Sequence, residues 1–436
     1  MISLDLALIF FLSLEVLNYR VQRSVLYPPF IFSAMWLLVL SLVRLKLIEL
    51  DPLHANTLAI LAVGATSFSF GGLLAGLVPR VLLRIHFNLF SSKPKRTPDF
   101  LRNLLMTVAL CGVPIMFYRT WQLSNSQGGG SMILMQARQA LLESILSNDP
   151  NQNGVLAYLM AYLVMGTTFA SLLLATGKKD RKFWVVTFIA LVGAVLSTGR
   201  VGILQLISGL SAIRLLQTKQ ESLRGAIRLL RWPIVLFVAL FVGLVFTNKN
   251  TEGMTGGVTG IATFFVLAYI VGPLGAFDKV VQNPESFKLN VSHTFYFPLH
   301  IAAKLHLADY TNLHLEDYIQ PPMYNTFVLV PFPINVYTVF KFYYLELGII
   351  GTMVILFVIG ALHSLLYLKA RQGGKFSTYL FAYSVYPVLM VIFVDEYSGM
   401  GQFPIAFCFG LLYFLIGSVP LRLLQVKKNH FSQTGS

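Results

Sequence analysis

Ser197-Thr198-Gly199-Arg200 separates two apolar runs, Phe183 to Leu196 and Val201 to Leu216, and the reading of that junction decides what kind of molecule this is. An arginine so placed sits either in lipid, at a cost of several kcal/mol unless partnered, or at a membrane surface or water-filled cavity where an anionic group can reach it. The second placement is preferred. Gly199 lets the backbone turn tightly, and Ser197 and Thr198 can satisfy the amides freed there, so a tight turn presenting a guanidinium is expected. The alternative is an arginine that anchors a helix end by snorkelling.

The rest of the chain supports the membrane reading. Of its 436 residues, 56% are hydrophobic and 12% charged, against roughly 25% charged in a soluble domain. A net charge of +15 would suggest nucleic acid in a soluble protein; in a membrane protein it is first an orientation signal, and no nucleic-acid partner is expected. Cys111 and Cys408 both lie in apolar runs, so neither a disulfide nor a zinc site is expected. Leu4 to Leu17 has no basic stretch before it and no small-residue cleavage site after it, which predicts a retained helix.

Eleven runs reach bilayer-spanning length: 3–19, 28–47, 54–78, 101–118, 155–176, 183–198, 201–217, 232–247, 342–368, 376–394 and 403–421. The expected fold is therefore all-α, a polytopic helical bundle forming one integral-membrane domain over 1–436. With the N-terminus outside, roughly two-thirds of the 33 basic residues fall in inside connections, among them Arg20/Arg23, the 80–100 loop, 178–182, 214–231, 369–375 and the tail at Lys427-Lys428. The C-terminus is then cytoplasmic. Two external connections are long, 119–154 and 248–337. The first carries a Gly128-Gly129-Gly130 hinge and an amphipathic helix expected from about Met132 to Leu146. In the second, Ile261 to Phe277 is apolar and is expected to be re-entrant or interfacial, broken at Gly272-Pro273.

Arg119, Arg138 and Arg200 share the external side. Guanidinium groups bind phosphate bidentately and stay charged at any working pH, so such a cluster suits a lipid phosphate or pyrophosphate headgroup; the competing reading pairs these arginines with local acids such as Glu143 or Asp149. No nucleophile elbow, phosphate-binding glycine loop, His-Glu-x-x-His or Asp-x-Asp motif occurs, which argues against an ATP-driven transporter, a zinc protease and a metal-dependent nucleotide-sugar enzyme. Acid or base candidates are His293, His300, Asp309, Glu316, Asp317, Glu346 and the Asp395-Glu396 pair. Glu346 stands out because it begins a transmembrane helix, where an ionisable group needs a function or a partner.

Asn335-Val336-Tyr337-Thr338, then Tyr343-Tyr344-Leu345-Glu346-Leu347-Gly348-Ile349-Ile350-Gly351 and Gly360, resembles the bacterial O-antigen polymerase family. Ser197-Thr198-Gly199-Arg200-Val201-Gly202 looks like that family's small-residue arginine motif, Tyr269 to Leu274 is similar to a segment early in its large loop, and Arg119 with Gly130 fits its Arg-x10-Gly pattern. Leu347 stands where an aromatic is commoner, and Glu346 where Asp is. The resemblance, over about residues 119–365, implies a GT-C-like, metal-independent glycosyltransferase of the bacterial inner membrane without a cofactor, its site on the periplasmic side. Such an enzyme moves a growing glycan from undecaprenyl pyrophosphate onto the terminal sugar of a new lipid-linked repeat unit. It implies membrane lipid, a chain-length regulator and a flippase as partners. On this reading Arg200, Arg119 and Arg138 hold pyrophosphates, Glu346 or His300 is the base, and Tyr324, Asn325 and Tyr337 orient sugars. The alternatives are an O-antigen ligase acting on lipid A core and a flippase for the lipid-linked oligosaccharide.

Overall fold

A computed structural model describes residues 3–77, 99–126, 133–134, 136–137, 139–140, 155–197, 200–231, 235, 239, 257–287, 291–305, 327–397 and 402–418. Within them the chain is mostly helical: α1 Leu4–Gln22, α2 Pro28–Arg44, α3 Ala55–Leu77, α4 Asp99–Asn125, α5 Val155–Ala175, α6 Arg181–Leu196, α7 Arg200–Thr218, α8 Gly257–Gln282, α9 Tyr296–Lys304, α10 Phe340–Arg371, α11 Lys375–Met390 and α12 Gln402–Ser418. A two-residue hairpin, β1 Val328–Leu329 and β2 Pro333–Ile334, precedes α10. Local chemistry sets several ends. Ser3 and Asp180 cap α1 and α6 through side-chain oxygens that accept the Leu6 and Phe183 amides. Pro28 and Pro29 open α2, where a missing N–H costs nothing.

Ten of the eleven expected spans coincide with helices; 232–247 falls largely outside the described residues. By length and composition five helical stretches among the described residues are long and apolar enough to cross a membrane: Ala55–Leu77, Asp99–Asn125, Val201–Thr218, Thr263–Gln282 and Phe340–Arg371. Large apolar side chains point outward, as Leu6, Ile9, Leu12, Val16 and Leu17 do on α1 and Ile350, Val354, Val358 and Leu362 on α10, the arrangement a lipid solvent rewards.

The tightest crossing is α3 with α10. A methyl on Gly71 would overlap the Phe357 carbonyl, and one on Gly360 the Phe68 carbonyl, so small residues let the two backbones touch. Gly360, part of the motif quoted above, is thus a packing residue.

Charged and polar pairs gather at the two ends of the bundle. At one end Asp5 pairs with Arg44 at 2.7 Å and Asp51 with Lys279 at 2.7 Å. At the other, Glu221 accepts the Ser24 and Tyr367 hydroxyls and lies 3.5 Å from Arg371, while Arg102 pairs with Asp180 at 2.6 Å. Residues that the basic-residue count assigns to one side therefore meet at one end.

The expected break in α8 is absent: the helix runs from Gly257 to Gln282 through Pro273. Gly272 rests against Phe332 and Ile334, and Asp278 accepts the His54 amide and the Thr57 hydroxyl at 2.9 and 2.6 Å, so outside contacts hold the helix across its missing hydrogen bond. Its other partners are Leu50, Asp51, Phe340, Tyr344 and Phe393.

Helix α10 doubles back on itself. Gly348 has φ 64° and ψ −167°, a region open essentially to glycine alone. A methyl on Gly64 would meet both the Phe340 ring and Leu356, so the segments before and after Gly348 lie side by side. Lys341, Phe342 and Tyr343 are thereby carried into the bundle and buried.

Candidate polar cluster at the Asp5 end

At the junction that opened the sequence reading, α6 ends at Leu196 and α7 starts at Arg200, while Thr198 and Gly199 lie outside the described residues. The Ser197 amide and hydroxyl are returned to the Gly193 and Ala194 carbonyls at 2.9 and 2.8 Å. The last turns of α4 pack beside it, with the Thr120 hydroxyl 3.4 Å from the Leu196 carbonyl. Arg119, its neighbour, is buried and donates Nη1 to Gln122 Oε1 at 2.9 Å. Arg119 and the start of α7 thus occupy one corner. Arg138, Tyr324 and Asn325 lie outside the described residues, as does the Arg200 side chain. Near Arg138, Ala137 and Ala140 are buried and Ile133 is exposed, and most of the expected helix from Met132 to Leu146 lies outside the described residues.

From that corner α7 runs against α11. Gly209 abuts the Ala382 carbonyl, and Gln205, five residues and about 7.5 Å along the helix from Arg200, lies beside the Tyr383 hydroxyl. One turn further along α11, the Tyr386 hydroxyl donates to Glu396 Oε1 at 2.8 Å. Glu396 belongs to the connection between α11 and α12, which stays within the bundle: Val391 accepts the Val339 amide at 2.9 Å, and the Tyr397 ring meets His363 edge-on at 5.4 Å. Burial, reinforced by Asp395 and opposed by the Tyr386 bond, pushes the Glu396 carboxyl up to about 7.

Asp395 is held through one of its oxygens. Its Oδ1 accepts the Tyr343 hydroxyl at 2.8 Å and the Tyr397 amide at 2.9 Å, and its Oδ2 lies 3.6 Å from His293 Nε2. The His293 ring stacks on Phe342, centroids 3.7 Å apart. Burial first, and the nearby Lys341 ammonium second, hold this imidazole down to about 3, so at neutral pH it is uncharged and its approach to Asp395 is a polar contact, not an ion pair. Lys341 places its ammonium 3.7 Å over the Tyr337 ring and 4.8 Å from that of Phe342, a cation–π arrangement.

Glu346 accepts the Ser292 hydroxyl at 2.6 Å, the His293 amide at 2.6 Å and the Thr294 amide at 3.2 Å, and so anchors the turn that leads into α9. Tyr337 is buried, with Lys341 over its ring and Phe287 in a T-shaped contact with it. His300 stacks on Tyr296 at 5.4 Å one turn into α9. The Asp395-Glu396 pair and His293, named among the sequence candidates, are brought together. Lys341 was missed. The signal was present, a lysine one residue ahead of an apolar span, but the span was read as starting at Phe342.

Comparisons with protein-family models, with curated proteins and with solved structures give no match for this chain.

Proposed function

We propose that this chain is a polyprenyl-pyrophosphate-dependent glycosyltransferase that polymerises undecaprenyl-pyrophosphate-linked oligosaccharide repeat units, with the Asp5 end of the bundle on the periplasmic face of a bacterial inner membrane. The observation that carries the reading is a juxtaposition: Arg119 and the α7 start that bears Arg200 stand at the same end of the bundle as buried Asp395 and half-buried Glu396. Chain transfer needs those two things together. A cationic corner offsets the charge that develops on a departing pyrophosphate, and a carboxylate in reach takes the proton of the attacking hydroxyl. The motif order from Ser197 to Gly360 supports the polymerase over the ligase and the flippase.

The test is reconstitution in liposomes with lipid-linked repeat units and no added metal or nucleotide, products resolved by length. A ladder that is lost in Arg200→Ala is expected. Near-normal chain lengths from folded R200A protein would remove the arginine from the mechanism. Capped product only on addition of lipid A core would make the protein a ligase, and lipid crossing without turnover a flippase.

A further inference from the structure

We propose that the helical residues 223–231, at the Glu221 end of the bundle, form a binding face for anionic phospholipid headgroups. The proposal goes beyond the polymerase reading and holds whatever reaction the chain performs. Between positions 214 and 231 the sequence carries Arg214, Lys219, Arg224, Arg228 and Arg231 against a single acid, Glu221, and the next acid is Glu252. All of these cations are exposed. Glu221 is buried and engaged elsewhere, with the Ser24 and Tyr367 hydroxyls and, at 3.5 Å, Arg371. Arg102 and Lys182 at the same end pair with Asp180 and Asp99. Arg224 and Arg228 pair with no acid among the described residues.

Exposed arginines alone would be a solvated face; their neighbours on the helix decide otherwise. At about 100° per residue, Ala226, Leu229 and Leu230 share one side, and there Ala226 is buried and both leucines pack half-buried on the core. Arg224, Arg228 and Arg231 fall within about 60° of arc on the opposite side. Leu223 and Ile227 lie between the two sides and are 56% and 62% exposed. Two uncovered apolar side chains beside three guanidinium groups suit a helix at the boundary of headgroups and acyl chains, where the apolar pair enters the acyl layer. The arginines then meet phosphates, which guanidinium groups bind bidentately. A soluble polyanion would satisfy the arginines and leave Leu223 and Ile227 in water.

The face is also held in place. Immediately before the helix, the Glu221 carbonyl accepts the Val25 amide at 2.9 Å, while the Glu221 side chain reaches Ser24 and Tyr367. The helix therefore leaves the bundle from a point fixed to the α1–α2 connection and to α10.

The experiment places the full chain in phosphatidylcholine vesicles with a trace of photoreactive phosphatidylglycerol or photoreactive phosphatidylcholine, and quantifies labelling of residues 223–231 by peptide mass spectrometry. Phosphatidylglycerol is expected to label the segment at least tenfold more strongly. A basic residue near an anionic surface is worth about fivefold in affinity, so Arg224→Gln or Arg228→Gln alone should lower that labelling about fivefold. With Arg231→Gln added to both, the fall should be about 100-fold, with labelling elsewhere on the chain unchanged. Equal labelling by the two lipids overturns the proposal, and retention of such a chain on heparin would give the face to a soluble polyanion instead. A folded triple variant that keeps the phosphatidylglycerol labelling within threefold also overturns it. Should the triple variant not fold, the single variants decide, and labelling within twofold of the unmodified chain in both overturns the assignment.

Discussion

Replacing Glu346 tests whether it is an anchor. Its two oxygens hold three donors from residues 292–294, more than fifty positions away in the chain. Hydrogen bonds to a charged acceptor are worth about 1.5–3 kcal/mol each, and a donor left unpaired costs about 1–3 kcal/mol. The turn is only half-buried, so water recovers part of the loss. Glu346→Ala should then loosen the 292–294 turn by about 3–4 kcal/mol, and Glu346→Gln, which keeps one acceptor oxygen, by about 1–2 kcal/mol. Hydrogen exchange reads this directly: since about 1.4 kcal/mol is tenfold, the His293 and Thr294 amides should exchange roughly 100- to 1,000-fold faster in E346A and about tenfold faster in E346Q. The α3–α10 crossing should be unmoved. Exchange at those two amides within threefold of the unmodified protein would refute the anchoring role and return Glu346 to the list of bases.

Gly348→Ala should lower stability by about 1–3 kcal/mol, through its φ of 64° and not through crowding, because no atom lies within 4 Å of the added carbon; thermal unfolding in detergent measures it, and unchanged stability would mean the chain does not need that turn. Gly360→Leu should cost more than Gly348→Ala, because the new side chain meets the Phe68 backbone; loss of the folded, monodisperse fraction on size-exclusion chromatography is the readout, and a well-folded G360L protein would contradict the close crossing. The folded pKa of Glu396, about 7, lies above the ordinary 4.5, so the native state holds the extra proton and stability falls as pH rises from about 4.5 through 7. E396Q should therefore match the unmodified protein at pH 4 and exceed it at pH 8 by about 1–3 kcal/mol, and equal melting at both pH values would count against a strained carboxylate. His293 has the opposite sense: its folded value near 3 lies below the ordinary 6.5, so the stability it contributes is complete above 6.5 and is lost as pH falls toward 3. A His293→Asn protein should lack that slope, and an unchanged acid limb would place its origin elsewhere.

The helices were legible because lipid and the bundle interior both select apolar runs, and that signal is local: the runs at 54–78 and 183–198 match α3 and α6 to within two residues. The helix boundaries at Leu196 and Arg200 were legible for the same reason, small polar residues between two such runs. What escaped was set by partners far along the chain. Pro273 reads as a breaker until Asp278 is seen tied to His54 and Thr57, some 220 residues earlier. Glu346 and the Asp395-Glu396 pair are alike as bare acids; only the structure shows that Glu346 holds the 292–294 turn while Asp395 and Glu396 accept from Tyr343 and Tyr386. The glycines of the α10 motif read as a sign of kinship, while their physical work is a reversal at Gly348 and a backbone contact at Gly360.

The α3–α10 crossing also has a consequence in time. Roughly 260 residues separate the end of α3 from the start of α10, which at elongation rates of about 5–20 residues per second is on the order of 15–50 s of synthesis. Throughout that interval the glycine groove of α3 waits in the bilayer without its mate. A nascent chain released early would carry an exposed notch that other small-residue helices fit, a docking point for a quality-control protease or chaperone, and completion of α10 is the event that hides it.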